Sequence, residues 1–256
     1  MISQYGFAAY AIAAKVMNVK LVEVPAKNFC HDLAAMAESV TSKTKVIFIA
    51  NPNNPTGTWN KTSDIINLLN NVPKNIIVVI DQAYFEFIES DIECGKEYKD
   101  AVSLLSDFPN VIVTYTFSKA YGLAGLRVGY GISSVAVADL LNRVRLPFNV
   151  NAIALAAAVA ALDDTAQLDK TITVTKSGMK QLKTGFKELG LNYIASNEND
   201  TDTCITNFLC VEVGKNANKI FKMMLEQGVI VRPVVNYGMP NFLRISVGLK
   251  EQNQRC

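Results

Sequence analysis

Continuous apolar runs mark the first half of the chain. Val46-Ile47-Phe48-Ile49-Ala50, Ile76-Ile77-Val78-Val79-Ile80 and Val111 to Thr116 are nearly unbroken. Runs of that length without alternation predict strands buried on both faces, as in a parallel sheet. Lys20 to Val24 alternates and predicts a shorter strand, and Arg127 to Ile132 predicts a further one. Between them, Ala8 to Met17, Asp32 to Val40, Ser63 to Asn70, Asp100 to Leu105 and Val135 to Val144 have helical character. Buried strands alternating with helices imply an α/β fold with a mostly parallel sheet.

From about Asn151 the pattern changes. An alanine-rich helix is followed by a long one, Thr171 to Leu189, which Gly190 ends. Short strands then alternate with one helix: Phe208 to Val213, the helix Asn218 to Gln227, Val229 to Val234 and Phe242 to Val247. The expectation is a large α/β domain over 1–150 and, over 151–256, an inter-domain helix and a smaller α+β domain.

Composition narrows the function classes. The chain has 256 residues, half of them hydrophobic and 19% charged, with a net charge of +2. This is a globular composition, and the dispersed basic residues favour neither nucleic acid nor a membrane surface as partner. The longest apolar stretch, Ala152 to Leu162, is too short to span a bilayer. No signal-peptide pattern opens the chain, so the cytoplasm is the expected compartment. The cysteines, Cys30, Cys94, Cys204, Cys210 and Cys256, form no CxxC pair and read as reduced thiols. His31 is the sole histidine, read as a surface residue before a helix, and zinc or Ser-His-Asp chemistry usually needs more. No GxGxxG follows an early strand, which disfavours a dinucleotide site.

In open parallel sheets, ligands bind beyond the carboxyl ends of the strands. Three strands deliver polar residues to that edge: Asn51-Pro52-Asn53-Asn54-Pro55-Thr56-Gly57, Asp81-Gln82-Ala83-Tyr84 and Thr116-Phe117-Ser118-Lys119. A lysine that forms a Schiff base must be partly deprotonated, which desolvation or a neighbouring cation favours. Lys119 follows an apolar strand and precedes Arg127 by eight residues, so both conditions are expected of it. Gly122, Ala124 and Gly125 permit close backbone approach, while Ser118 and Arg127 suit a phosphate dianion. Asp81 closes an aliphatic strand, where a carboxylate is costly without a cationic partner such as a protonated ring nitrogen.

Together these segments resemble the fold-type I aminotransferases, which use pyridoxal 5′-phosphate (PLP). Asn54-Pro55-Thr56-Gly57, Asp81-x-x-Tyr84 and Ser118-Lys119 with Arg127 stand in that family's order, with similar spacings. Other stretches are similar to its histidinol-phosphate aminotransferase branch: Ala50 to Gly57, Thr116 to Tyr130, Leu141 to Arg145, Pro147 to Asn151, Val229 to Pro233 and Leu243 to Gly248. The resemblance implies a seven-stranded-type PLP-transferase large domain, incomplete here, and homodimers acting on small amino and keto acids. It implies that Lys119 carries the cofactor and shuttles the proton at the substrate Cα. Asp81 would partner the pyridine nitrogen, Asn54 and Tyr84 the phenolic oxygen, and Thr116, Ser118 and Arg127 the phosphate. Tyr5 matches the aromatic that stacks on the ring, Arg244 the carboxylate-binding arginine, and Arg232 is a candidate for a second anionic group.

The chain departs from the pattern in three places. Gln82 stands where the family usually has Glu. The family has many residues ahead of the position of Tyr5, including a glycine-rich helix start that binds phosphate, so the chain reads as truncated there. Glu251 to Cys256 reads as a C-terminus clipped where a final helix should begin. Two readings stand: a PLP-dependent transaminase interconverting histidinol phosphate and 2-oxoglutarate with imidazole-acetol phosphate and L-glutamate, or a non-catalytic fragment that keeps the fold. Aromatic aminotransferases and threonine-phosphate decarboxylases are the related alternatives.

Overall fold

The structure, a computed structural model, describes residues 1–88, 97–195 and 205–256. Its central sheet has the order β3-β4-β5-β6, from Val46–Ala50 (β3), Ile77–Asp81 (β4), Val111–Thr116 (β5) and Gly129–Ser133 (β6). β3, β4 and β5 are parallel, and β6 returns antiparallel along β5. The unbroken apolar runs are explained by burial: Ile47, Ile49, Val78, Ile80, Val111 and Val113 are all inaccessible to solvent. They pack against helices α2 (Leu33–Glu38) and α3 (Thr62–Asn71) through Met36, Leu68 and Leu69. Ahead of this sheet, β1 (Ile2–Ser3) pairs in parallel with β2 (Glu23–Val24), and α1 (Ala8–Val16) connects them.

After β6 come α4 (Val135–Val144), α5 (Ala152–Asp163) and the long α6 (Thr165–Glu188). A second sheet has the order β7-β8-β10-β9, formed by Asn192–Tyr193 (β7), Phe208–Glu212 (β8), Arg232–Pro233 (β9) and Phe242–Ser246 (β10). Its pairs are all antiparallel. Met179, Leu182 and Phe186 of α6, with Ala217 of α7 (Ala217–Glu226), cover its Leu209, Val211, Leu243 and Ile245. The α/β pattern followed by a smaller α+β assembly is the architecture expected.

Several local expectations need correction. His31 is buried, not a surface residue: its Nε2 lies 2.9 Å from the Ala50 carbonyl, and burial lowers its pKa to about 4. Asp100 to Leu105 forms only a one-turn 3-10 helix, Ala101–Leu104, because the Asp100 side chain takes the Val102 N–H two residues on. The expected strand Val229 to Val234 pairs only at Arg232–Pro233, where proline can donate no ladder bond. Lys20 to Val24 likewise pairs only at its last two residues. The long helix starts six residues earlier than expected, at Thr165, where the Asp164 carboxylate caps it by accepting from the Gln167 N–H. Lys250–Arg255 forms a final short helix, α8. Cys210 and Cys256 are free thiols and the Cys30 thiol donates to the Trp59 carbonyl at 3.2 Å, while Cys94 and Cys204 lie outside the described residues.

Among the described residues, no helix is long and apolar enough to cross a membrane. One side of the molecule nevertheless exposes many large apolar side chains. β6 is solvent-accessible over Gly129–Ile132, and Val135, Val144, Leu146, Phe148, Ile153 and Val159 on and around α4 and α5 are all exposed.

Candidate active site

The parallel strands end at one edge, and the register brings their polar residues together. Asp81, the last residue of β4, pairs with Ala50 at the end of β3 and with Thr114 of β5. Lys119 follows β5 by three residues. A cavity of about 410 Å³ opens there, lined by Tyr10, Asn54, Asp81, Tyr84 and Lys119, with Arg232 and Arg244 from the second sheet. A larger cleft of about 1190 Å³ lies elsewhere, around His31, Trp59 and Lys61. It contains neither Lys119 nor Asp81, and its charged lining includes the exposed Lys61–Glu97 ion pair.

The segment after β3 aims Asn54. Residues 51–60 are buried throughout, so their polar groups must find partners inside the protein. Asn51 exchanges hydrogen bonds with the Asn60 backbone in both directions, its Nδ2 donating at 3.0 Å and its Oδ1 accepting at 2.8 Å. Asn53 Nδ2 donates to Thr56 Oγ1 at 2.8 Å and to the Tyr5 carbonyl at 3.0 Å. Asn54 Oδ1 then accepts from Arg244 Nη1 at 2.5 Å, and its side chain also bonds that of Tyr84. The Tyr84 ring packs edge-on against Phe208, and burial pushes its hydroxyl pKa up to about 12, against the opposing field of Arg244. Tyr84 is therefore a neutral hydrogen-bonding group at physiological pH.

The two ionisable groups beneath the cavity are both moved from their ordinary ranges. Burial raises the Asp81 carboxyl, despite donors from the Tyr10 hydroxyl, the Ala83 N–H and the Thr114 side chain and despite the positive charge of Lys119. Burial lowers the Lys119 ammonium, helped by the positive charges of Arg244 and Arg127 and opposed by Asp81. Lys119 Nζ sits 5.4 Å from the centre of the Tyr84 ring. Only the free amine attacks an aldehyde, so trapping of a small aldehyde at Lys119 by borohydride should reach half its maximal rate below pH 10.5, and Arg244→Ala should move that midpoint upward. A midpoint unchanged by Arg244→Ala would remove Arg244 from the lysine's environment.

Thr116, Ser118 and Arg127 do not line this cavity but form a cluster beside Lys119 in the chain. The Ser118 N–H donates to Thr116 Oγ1 at 3.1 Å. Arg127 Nη1 donates to Ser118 Oγ at 3.3 Å and to the Ala124 carbonyl at 2.8 Å. Arg127 holds φ +54°, a left-handed backbone that is uncommon for residues other than glycine. Tyr5 is not brought to the cavity: its ring packs on Phe29, 5.5 Å between centroids, among Ile194, Cys210 and Met239. Residues absent from the sequence reading also line it, among them Tyr10 and Tyr237. Tyr10 hides in an alanine-rich helix, where its only distinction is that it is that helix's one aromatic side chain.

Arg232 and Arg244 sit directly opposite each other across the β9–β10 pair. Like charges in that position repel, so the pair is suited to anions bound between or beside them. Arg244 also leaves its buried Nε without a partner. Gln82, in the family's usual glutamate position, is wholly internal. Its Nε2 donates to the Tyr98 hydroxyl at 2.7 Å, and its Oε1 accepts from the Ala101 N–H at 3.1 Å and the Tyr115 hydroxyl at 2.9 Å. The amide both donates and accepts there, which a carboxylate would not do.

A strand-end lysine, a buried aspartate and two arginines thus meet at one cavity on an α/β scaffold. The chain belongs to the aminotransferase class I and II family, whose sequence profile matches residues 1–255. Histidinol-phosphate aminotransferase 2 of Pseudomonas fluorescens strain Pf0-1 is 49% identical over 253 residues, 99% of this chain and 65% of that protein. Histidinol-phosphate aminotransferase 1 of Idiomarina loihiensis is 48% identical over 252 residues, again covering 65% of its length. In structure, the chain is similar to histidinol-phosphate aminotransferase from Sinorhizobium meliloti in complex with pyridoxal-5′-phosphate, with a TM-score of 0.86 and 27% identity over all of this chain and 67% of that one. The chain thus spans about two thirds of the length of these relatives.

Proposed function

We propose that this chain carries the PLP site of a histidinol-phosphate aminotransferase, which exchanges an amino group between histidinol phosphate and 2-oxoglutarate. In biosynthesis the direction is reversed, from imidazole-acetol phosphate and L-glutamate. The observation that carries the proposal is the convergence of Asn54, Asp81, Tyr84, Lys119, Arg232 and Arg244 on one cavity. We also propose that the chain divides at about residue 150/151 into a large cofactor-binding part and a smaller substrate-binding part, the second supplying both arginines.

The residues fit PLP. Asp81 is a desolvated carboxylate that keeps a raised pKa although three groups donate to it and Lys119 acts on it through its charge, and a pyridinium N–H would give it a hydrogen-bonded cation. Asn54 and Tyr84 offer neutral hydrogen bonds for a phenolic oxygen. Thr116, Ser118 and Arg127 would hold the phosphate, Arg127 through charge-assisted bonds. When bound, PLP supplies an aldehyde that condenses with amines and a conjugated ring that withdraws electrons from the substrate Cα.

The chain's own groups do the rest. Lys119, with its lowered pKa, spends more time as a free amine than an ordinary lysine and can take or return the proton at the substrate Cα. Asp81 holds the opposite pole of the site negative. Arg244 grips a substrate carboxylate with a planar fork held by Asn54 and packed on Phe208. Arg232, exposed at the cavity, meets the second anionic group, the phosphate of one substrate or the distal carboxylate of the other. Tyr5 remains a proposed ring-stacking residue, although it packs on Phe29 here.

The enzyme reading is favoured over a fold-retaining, non-catalytic chain because the lysine, aspartate and arginines all reach one cavity. A coupled assay of glutamate formation from 2-oxoglutarate tests it directly. Histidinol phosphate should be the better donor than phenylalanine, and preference for phenylalanine would move the chain to the aromatic aminotransferases. The exposed apolar side around β6, α4 and α5 supports a homodimer, because patches of that kind on soluble chains mark association surfaces. Sedimentation as a monomer at micromolar concentration would contradict it. A cytoplasmic enzyme handling small amino and keto acids is the setting this reading implies.

A further inference from the structure

Tyr10 is tied to Asp81 more closely than any residue the sequence pointed to. Its hydroxyl donates to Asp81 Oδ2 at 2.6 Å across 71 residues of sequence. The ring is not free to swing. It stacks on Phe48 with 4.6 Å between centroids and 14° between planes, and Phe7 packs edge-on at 5.7 Å. Only 8% of the residue is exposed, yet it lines the same cavity as Asp81 and Lys119. The other Asp81 oxygen takes the Ala83 N–H at 3.2 Å.

We propose that Tyr10 is a positioning residue, which orients the Asp81 carboxylate and holds it as an anion facing a ring-nitrogen cation of the cofactor. The inference rests on the PLP reading above. Its physical basis is that a hydrogen bond donated to a carboxylate stabilises the charged form over the neutral one, and most strongly where water is excluded. Without that donor, burial acts on Asp81 less opposed, and a neutral carboxyl cannot pair with a pyridinium. The titratable groups facing this pair are Lys119, Tyr84 and Tyr237. None replaces Tyr10, since Lys119 is needed for the aldehyde, Tyr84 bonds Asn54, and Tyr237 accepts from the Ala8 N–H at 3.3 Å.

Tyr10→Phe removes the hydroxyl and keeps the stacking on Phe48. The test compares binding of PLP with binding of 1-deaza-PLP, which has carbon in place of the ring nitrogen, to the unaltered chain and to the variant. Binding is read by cofactor fluorescence, and the site by borohydride trapping and peptide mass spectrometry. A hydrogen bond to a charged group corresponds to ~10-fold or more in affinity. PLP should therefore bind about 10-fold more weakly to Tyr10→Phe, while 1-deaza-PLP binds both proteins equally well. Equal losses for both cofactors mean that the residue serves only the fold, and no loss for PLP means that the hydroxyl does nothing for Asp81. Either result overturns the role of Tyr10 and leaves the PLP reading standing, provided Lys119 is labelled in both proteins. No label on Lys119 in either protein overturns the PLP reading, and the Tyr10 role with it.

Discussion

Lys119→Ala should lower the proposed transamination by about 10⁴-fold, the upper end of what one positioned acid–base group contributes. No neighbour can take over. Among the described residues, the groups acting on Lys119 are the ring of Tyr84, the guanidinium groups of Arg244 and Arg127, which cannot condense with an aldehyde, and the Asp81 carboxyl. The loss should fall on kcat, with binding of PLP weakened as well, because the same amine both anchors the cofactor and moves the proton at Cα. Lys119→Arg should be no better than alanine, since a guanidinium keeps its proton and cannot condense with an aldehyde. Steady-state kinetics with added PLP measure this. Activity within tenfold of the unaltered chain would be incompatible with the role given to Lys119.

The second large effect is at Arg244. Truncating one partner of a buried, hydrogen-bonded charge contact costs about 2–5 kcal/mol, so Arg244→Ala should lower kcat/KM for L-glutamate by roughly 10²-fold or more. The loss has two sources. The substrate carboxylate loses a bidentate partner, and Asn54 Oδ1 loses the donor that fixes the side chain reaching Tyr84. Arg232 is exposed and makes no such bond among the described residues, so Arg232→Ala should cost less, about fivefold or under, as solvent-screened charges usually do. The ratio of the two losses, measured with L-glutamate and with histidinol phosphate, separates carboxylate recognition from phosphate recognition. An Arg232→Ala loss exceeding that of Arg244→Ala with glutamate would reverse the assignment.

Much of this site was legible in the sequence because strand ends are. Val78, Ile80, Val111 and Val113 are fully buried, so the first polar residue after each run stands at the sheet edge by necessity. That logic located Asp81, Lys119 and the Asn51–Gly57 segment without any contact information. It could not find Tyr10, because helix periodicity says which face is apolar but not which residue 71 positions away will meet its hydroxyl. The ring-stacking role of Tyr5 came from the resemblance alone, and its ring packs on Phe29 in the structure, with φ +61° at Tyr5. His31 was misread as a surface residue. Its neighbour Asp32 caps α2 as a surface residue would, but the imidazole turns inward to the Ala50 carbonyl. The opposition of Arg232 and Arg244 was equally hidden, since it depends on an antiparallel register that no local pattern encodes.

The central claim is that Lys119 is the residue that bonds to PLP. It is tested most directly by incubating the chain with PLP, reducing with borohydride and mapping the pyridoxyl group by peptide mass spectrometry. The account predicts one dominant adduct, on the peptide containing Ser118-Lys119-Ala120, lost in Lys119→Ala. An adduct spread over exposed lysines such as Lys61, or none at all, would contradict it.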